Sequence, residues 1–410
     1  MSSVKRFLPW VVWFLATFFY IFQYVLRVSP SIMMQGILEK YHLHAYQFGA
    51  FSGAYYLGYA VMHIPIGLLL DRIGPKKVIS LSILISILGL LPLIIGDCWN
   101  CAILGRFLVG AGSSGAILGV FNVIRLYFPE RWFSRLLGVS VTFGLVGAIY
   151  GGRPVHDLIE VTSWEQVLEY FVIAGVILAS LIFVLVPKID SHLVNHGSVK
   201  KELKEVLTNK KVILTALFGA LMVGALEGFA DVWSVNFFEV VYGIERSSAA
   251  FLPSLIYLGM GAGALGLPVI AEKFKIYHQL ILVSAVGMGG LFLLVIFAKF
   301  DMRVLQFSMF CLGIFSAYQI LVIYLNILNA PSKYANLVTA ITNMIIMAFG
   351  YVFHSVIGTV MTCVWDGTMK GCVPVYKSDA YVYGLLVIPV TLLIAFIGFV
   401  KLGYLKARTK

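Results

Sequence analysis

Residues 188–211 read KIDSHLVNHGSVKKELKEVLTNKK, the only long polar segment in a chain of 410 residues. Everything around it is apolar: 60% of residues are hydrophobic, 12% are charged, and the mean hydropathy is +0.94. Polar groups cannot cover a chain of that composition in water, so the class indicated is an integral membrane protein. Outward from the polar segment, six stretches precede it, near 8–31, 46–70, 77–96, 101–127, 135–155 and 167–187. Six more follow, near 211–238, 249–271, 278–298, 303–328, 334–361 and 380–403. Each is long enough to cross about 30 Å of hydrocarbon as a helix. The fold expected is an all-α membrane protein of twelve transmembrane helices. It divides into an amino-terminal six-helix bundle over 1–187, a cytoplasmic linker over 188–210 and a carboxyl-terminal six-helix bundle over 211–410. Inside the linker, Val199, Leu203 and Val206 share one side of a helical pattern. That fits a short helix at the membrane surface, with a solvated charged linker as the alternative.

The net charge of +11 is read by position rather than as a sign of nucleic-acid binding. Arg72, Lys76 and Lys77, then Arg131 and Arg135, then the lysines of the polar segment, then Lys273 and Lys275 all fall in even-numbered gaps. Both termini are therefore expected in the cytoplasm, and a bacterial inner membrane is the expected setting. The first stretch follows Lys5 and Arg6 without a small-residue cleavage site and reads as a retained helix. The bilayer and a small-molecule solute are the partners expected, for a monomer.

Cys98 and Cys101 fall in one outer gap, and Cys363 and Cys372 in another. A loop disulfide, first of all Cys363 with Cys372, and unpaired thiols both remain open, while no second ligand pair accompanies the Cys-x-x-Cys to make a metal site. The sequence has no phosphate-binding loop, no zinc pair on a helix and no soluble domain able to hold a nucleotide. Neither an enzyme nor an ATP-driven pump is expected. No cofactor is expected either, the driving force being a proton gradient.

The most specific motif is GLLLDRIGPKK, Gly67 to Lys77, at the cytoplasmic end of the second stretch. Gly67 would admit a neighbouring helix, Asp71 can cap a helix end or pair with a base, and the basic residues hold the turn at the headgroups. In this motif the chain resembles the major facilitator superfamily, whose signature is G-x-x-x-D-R-x-G-x-(R/K)-(R/K). The resemblance implies two six-helix bundles related by pseudo-two-fold symmetry, with Gly67, Asp71, Arg72 and Gly74 in a gating turn. In the corresponding turn of the second half, PVIAEKFK sets Glu272-Lys273 opposite Asp71-Arg72, so the charges survive and both glycines are lost. RFLVGAGSSG, from Arg106, resembles a fourth-helix pattern in which the family places a buried arginine tied to substrate binding or proton coupling. GLVGAIYGGRP, Gly144 to Pro154, resembles the glycine-rich fifth helix of exporters without the usual Gly-Pro pair. Glycine-rich helices are in any case more often close-packing surfaces than sites.

Charges left unpaired in hydrocarbon are costly, so polar residues inside the helices should mark a path between the halves. Tyr20, Gln23, Tyr24 and Arg27 fall on one face of the first helix. A guanidinium with tyrosines suits a carboxylate or phosphate, unless Arg27 snorkels to the headgroups. Tyr56, Tyr59 and His63 share a face of the second helix; His63 could exchange protons or be a structural, hydrogen-bonded histidine. Arg125 reads as snorkelling. Gln319 and Asn326, with Asn343 and His354, are the polar candidates of the second half, where an interhelical hydrogen bond is the plainer role for each. In ALEGFADVWSVNFF, residues 225–238, Glu227 and Asp231 stand one helical turn apart in the seventh helix. They are either proton-coupling carboxylates or members of a fixed ion pair with Arg27 or Arg106.

The site expected thus takes Tyr24, Arg27, Tyr56, Tyr59, Arg106, Gln319 and Asn343 for substrate, and Glu227, Asp231 and His63 for protons. The function expected is secondary active transport of a small organic, anionic solute by alternating access, coupled to protons. A facilitative uniporter or proton-driven exporter is the alternative, and a non-transporting receptor or scaffold is the alternative from another class.

Overall fold

The computed structural model of the protein describes residues 2–188, 199–331, 334–371 and 373–408. Among them, twelve helices are long and apolar enough to cross a membrane. They are α1 (Phe7–Tyr41), α2 (Ala45–Ile73), α3 (Pro75–Ile95), α4 (Trp99–Tyr127), α5 (Glu130–Val161) and α6 (Trp164–Leu185), then α7 (Lys210–Tyr242), α8 (Arg246–Phe274), α9 (Tyr277–Phe297), α10 (Met302–Ile327), α11 (Leu337–Cys363) and α12 (Ser378–Gly403). The protein is a multi-pass, all-helical membrane protein. Several helices start earlier than hydropathy alone indicates, because polar caps satisfy their first N–H groups. Ser163 accepts from the Gln166 N–H ahead of α6, Asn209 from those of Lys211 and Val212 ahead of α7, and Asp301 from that of Val304 ahead of α10.

Contacts divide the chain into two compact units, Met1–Tyr41 with Ala54–Asn195, and His42–Gly53 with His196–Lys410. The second unit includes the first turns of α2, which the expected 1–187 bundle counts with the first half. Within that unit the Ala45 N–H donates to the Tyr376 hydroxyl (2.9 Å) and the Tyr46 N–H to Thr362 Oγ1 (3.2 Å). These are donors that a helix start leaves without an intrahelical acceptor.

In each unit, two helices cross through a pair of glycines. A Cβ on Gly110 of α4 would lie 1.8 Å from the Tyr55 carbonyl oxygen, and one on Gly58 of α2 would lie 2.0 Å from that of Phe107. The second unit repeats the device, with Gly259 of α8 at 2.0 Å from the Phe310 oxygen and Gly313 of α10 at 2.0 Å from that of Ile256. No residue with a side chain fits this close an approach, and backbone contact at this range fixes the axial register of the two helices. The glycines of α5 likewise pack on α1: Gly144 faces Tyr20 and Tyr24, and Gly147 faces the backbone of Ile21. They form a packing surface.

Of the polar segment, residues 189–198 lie outside the described residues, and Val199–Thr208 forms a helix. Val206 is buried with Val338 and Ile341 of α11, and Leu203 packs against that cluster. The Tyr334 hydroxyl donates to Glu205, and Asn209 Nδ2 donates to the Asn329 carbonyl at 3.0 Å. Leu203 and Val206, from the apolar side expected there, therefore pack within the second unit rather than in water.

A disulfide joins Cys98 and Cys101, and Cys98 Sγ also accepts the Cys101 N–H at the start of α4. Cys363 makes no disulfide among the described residues, and Cys372 lies outside them. Between α11 and α12 a two-stranded hairpin, β1 (Met369–Lys370) with β2 (Val373–Pro374), is flanked by an ion pair of Lys377 with Asp366 at 2.6 Å. The hydrogen bond from Lys377, with others from Thr368, holds the Asp366 carboxyl well below the usual carboxylate range.

Candidate functional site

The first unit buries two arginines. Arg27 is 5% exposed, which excludes snorkelling, and its guanidinium carbon lies 5.2 Å from the ring centres of both Tyr24 and Tyr56. At that distance the π faces attract the cation, and a desolvated pair of this kind contributes about 2 kcal/mol. Tyr20 meets Tyr24 edge to face at 5.3 Å, and the Tyr55 hydroxyl donates to Gln23 Oε1 at 2.6 Å. The polar faces expected on α1 and α2 are thus turned toward each other. Tyr59 stacks on His63 at 5.3 Å, and His63 Nδ1 finds no hydrogen-bond partner among the described residues.

Arg106 is buried as well, at 3% exposed. Its two terminal nitrogens each lie 2.7 Å from a backbone oxygen of α1, Nη1 donating to Leu26 and Nη2 to Arg27, and its guanidinium carbon is 4.8 Å from the Tyr55 ring centre.

The second unit buries carboxylates instead. Glu227 is 2% exposed and Asp231 fully buried, both in Leu226–Trp233, where α7 winds as a π-helix. Such wide turns are rare inside α-helices and are frequent at functional sites. The buried Tyr257 hydroxyl of α8 donates to Asp231 Oδ1. Tyr257 was missed in the sequence, though a signal was there. The register that sets Glu272 opposite Asp71 also sets Tyr257 opposite Tyr56 and Gly259 opposite Gly58. In each unit, then, a tyrosine at the same place in the repeat engages a buried charge of the preceding helix.

Of the remaining candidates, Asn326 is an interhelical bridge, donating to the Val212 carbonyl (3.0 Å) and to Thr342 Oγ1 (2.7 Å). Gln319 is buried, with Nε2 unpartnered among the described residues. Asn343 is half-buried in α11, and His354 is fully buried there.

In the turn after α2, Gly74 has φ 86°, a left-handed value that favours glycine, and directly precedes Pro75 at the start of α3. Asp71 Oδ1 lies 2.5 Å from Arg125 Nη2 of α4, so Arg125 serves the turn instead of snorkelling. Gly67 departs from expectation: a Cβ there would meet nothing closer than Leu118 Cδ1 at 3.9 Å, so no close helix approach requires it. Glu272, the counterpart of Asp71 in the second unit, is exposed and makes no such ion pair among the described residues. The turn, the repeat and the twelve spans agree with a family model, described as Major Facilitator Superfamily, that matches residues 12–354. The chain belongs to the major facilitator superfamily.

This superfamily consists of secondary transporters of small molecules and is not enzymatic. Among curated relatives, a probable sulfoacetate transporter of Cupriavidus necator is 29% identical over 162 residues, which cover 38% of this chain and 36% of that protein. An uncharacterized transporter of Bacillus subtilis is 23% identical over 307 residues, covering 67% and 69%. A probable anion transporter of Arabidopsis thaliana is 26% identical over 156 residues, covering 38% and 36%. Among solved structures, a bacterial homologue of the human lysosomal transporter Spinster superposes with a TM-score of 0.73 at 15% identity, over 97% of both chains. The nucleoside transporter NupG does so with 0.75 at 14% identity, over 95% of this chain and 98% of its own. At such identities the likeness is one of fold. Within this superfamily chain, the resemblance of the DRIGPKK turn reaches its geometry, with Asp71 paired to Arg125 of α4. The resemblance at Arg106 reaches its burial, with two carbonyls of α1 among its partners.

Proposed function

We propose that the protein is a proton-coupled secondary transporter that moves a small organic anion by alternating access in a bacterial inner membrane. The observation that carries this reading is Arg27, a buried guanidinium between two tyrosine rings, on the helix face where the other polar residues gather. A charge inside a membrane helix is costly and tends to mark a solute or ion path. A guanidinium in particular offers a planar fork of donors that fits a carboxylate, sulfonate or phosphate oxygen pair. Two relatives whose printed names concern anions, the sulfoacetate and anion transporters, support the same class of solute.

Proton coupling is supported by Glu227 and Asp231, which lie buried in an irregular turn of α7 with Tyr257 bonded to Asp231. A carboxylate is cheap to bury when protonated and costly when charged, so alternating surroundings translate into proton uptake and release. His63, without a partner at Nδ1 among the described residues, is the third candidate for this role.

The test is uptake into proteoliposomes with an inward proton gradient, using sulfoacetate, aliphatic and aromatic monocarboxylates, and their uncharged amides. At least one anion should accumulate, its amide should not, and Arg27→Lys should impair uptake because a point charge does not reproduce the fork. Accumulation of uncharged solutes alone, with Arg27→Ala fully active, overturns the anion reading.

A further inference from the structure

Helix α1 runs through Pro30 without ending. Proline lacks a backbone N–H, and its ring crowds the carbonyl four residues earlier, so the carbonyl of Leu26 loses its helical donor. Leu26 is fully buried, and no water reaches its carbonyl to take the missing place. The donor it has instead comes from another helix: Arg106 Nη1 at 2.7 Å, much closer than the Ser29 hydroxyl at 3.4 Å. Nη2 of the same guanidinium donates to the next carbonyl, that of Arg27, also at 2.7 Å. The planar fork thus spans two successive acceptors of the turn that proline has opened, which a single ammonium could not match.

We propose that Arg106 is a positioning residue: it replaces the N–H that Pro30 lacks and thereby holds the turn of α1 that carries Arg27. The side chain of Arg27 points to the tyrosines while its backbone is held by Arg106. The two arginines therefore have separate tasks, one facing Tyr24 and Tyr56 and the other keeping its neighbour in place.

The second unit offers an internal comparison. The register that pairs Tyr56 with Tyr257 sets Asp231, not a proline, opposite Pro30. There α7 accommodates its irregularity by widening into the π-helix Leu226–Trp233, and the stretch of α10 opposite Arg106, residues 305–309, carries no basic residue. Arginine stands where proline breaks the ladder and is missing where it does not. An arginine kept for substrate has no reason to depend on the residue at position 30. A splint does, and this dependence separates the two roles without any transported ligand.

The experiment is hydrogen exchange on the detergent-purified full chain, read in peptides covering residues 24–34, for the wild type, Arg106→Gln, Arg106→Lys, Pro30→Ala and Pro30→Ala/Arg106→Gln. A lost hydrogen bond to a charged donor predicts exchange about tenfold faster or more in Arg106→Gln. Arg106→Lys, with a single point of contact, should lie between it and the wild type. With alanine at position 30 the helix supplies its own N–H, so adding Arg106→Gln to Pro30→Ala should alter exchange by no more than about twofold. An Arg106→Gln effect of equal size in both backgrounds overturns the proposal, as does wild-type exchange in Arg106→Gln itself. Should Arg106→Gln aggregate alone, the double variant should recover a monodisperse folded protein, and its failure to do so counts equally against the splint. The result stands or falls independently of whether Arg27 meets an anion.

Discussion

Replacing Gly110 with alanine tests whether the crossing of α2 and α4 sets the geometry of the arginine cluster. The new Cβ would lie 1.8 Å from the Tyr55 oxygen, whereas contacts become ordinary only at 3.4 Å, so the helices must part by about 1.6 Å. The obstructing atoms are backbone and cannot rotate aside. Overpacking of this kind costs about 1–3 kcal/mol. At roughly 2–4 °C of melting temperature per kcal/mol for a body of this size, a loss of several degrees is expected. The same separation would carry the Tyr56 ring, now 5.2 Å from the Arg27 guanidinium, to a distance where the cation–π attraction fades beyond about 6 Å. Uptake should therefore fall along with stability. Gly138→Ala is the control, because nothing lies within 4 Å of its added Cβ and alanine is the better helix former by up to about 1 kcal/mol. Thermal unfolding followed by size-exclusion fluorescence, with uptake measured on the same preparations, decides the matter. If Gly110→Ala melts and transports like Gly138→Ala, the close crossing is not what positions Tyr55 and Tyr56.

Glu227→Gln and Asp231→Asn should separate coupling from binding: at least one should lose accumulation driven by a pH gradient while keeping counterflow, and two variants with undiminished proton-driven uptake would remove both residues from coupling. Tyr257→Phe should resemble Asp231→Asn in that assay, since it deletes the hydroxyl bonded to Asp231 and leaves the ring; unaltered accumulation would make that hydrogen bond incidental. Asp71→Asn breaks an ion pair at the half-exposed turn and should slow transport while keeping ligand affinity within a few-fold, measured as a fall in kcat against a steady KM; loss of equilibrium binding would contradict the assignment. The Asp366–Lys377 pair should contribute nothing to pH dependence near neutrality. Lys377 lowers the Asp366 carboxyl and Asp366 raises the Lys377 amine, so their mutual stabilisation is lost only as pH falls below the ordinary carboxylate range or rises above the ordinary lysine range. The uptake profile between about pH 5 and 8 should therefore be the same in Asp366→Asn as in the wild type, and a shifted profile would place this hairpin in the coupling mechanism.

The membrane class, the twelve spans and the polar break between the sixth and seventh were legible because hydropathy is local and additive along the chain. A stretch of about twenty apolar residues needs a bilayer wherever its neighbours lie. The signature turn was legible for a similar reason: aspartate, arginine, glycine and two lysines in fixed order do their work within a few residues. Burial of Glu227 and Asp231 followed from the length of the apolar run around them. What they touch did not. The partners of Arg106, Asp71 and Asp231 come from other helices, and a hydrogen bond between helices depends on which faces meet, at which register and how closely. Sequence placed Arg106 in the membrane, and only the packing of α4 on α1 brought its guanidinium to two carbonyls of α1, one of them the Leu26 carbonyl that Pro30 leaves without its helical donor. Hydropathy could not tell Arg125 from a snorkelling residue either, since an ion pair and a headgroup contact call for the same residue at the same depth. The chain by itself determined how many times it crosses the membrane and which charges it carries inside; the tertiary structure decided which groups those charges touch, because hydrophobic burial is set by composition while directional bonds are set by geometry.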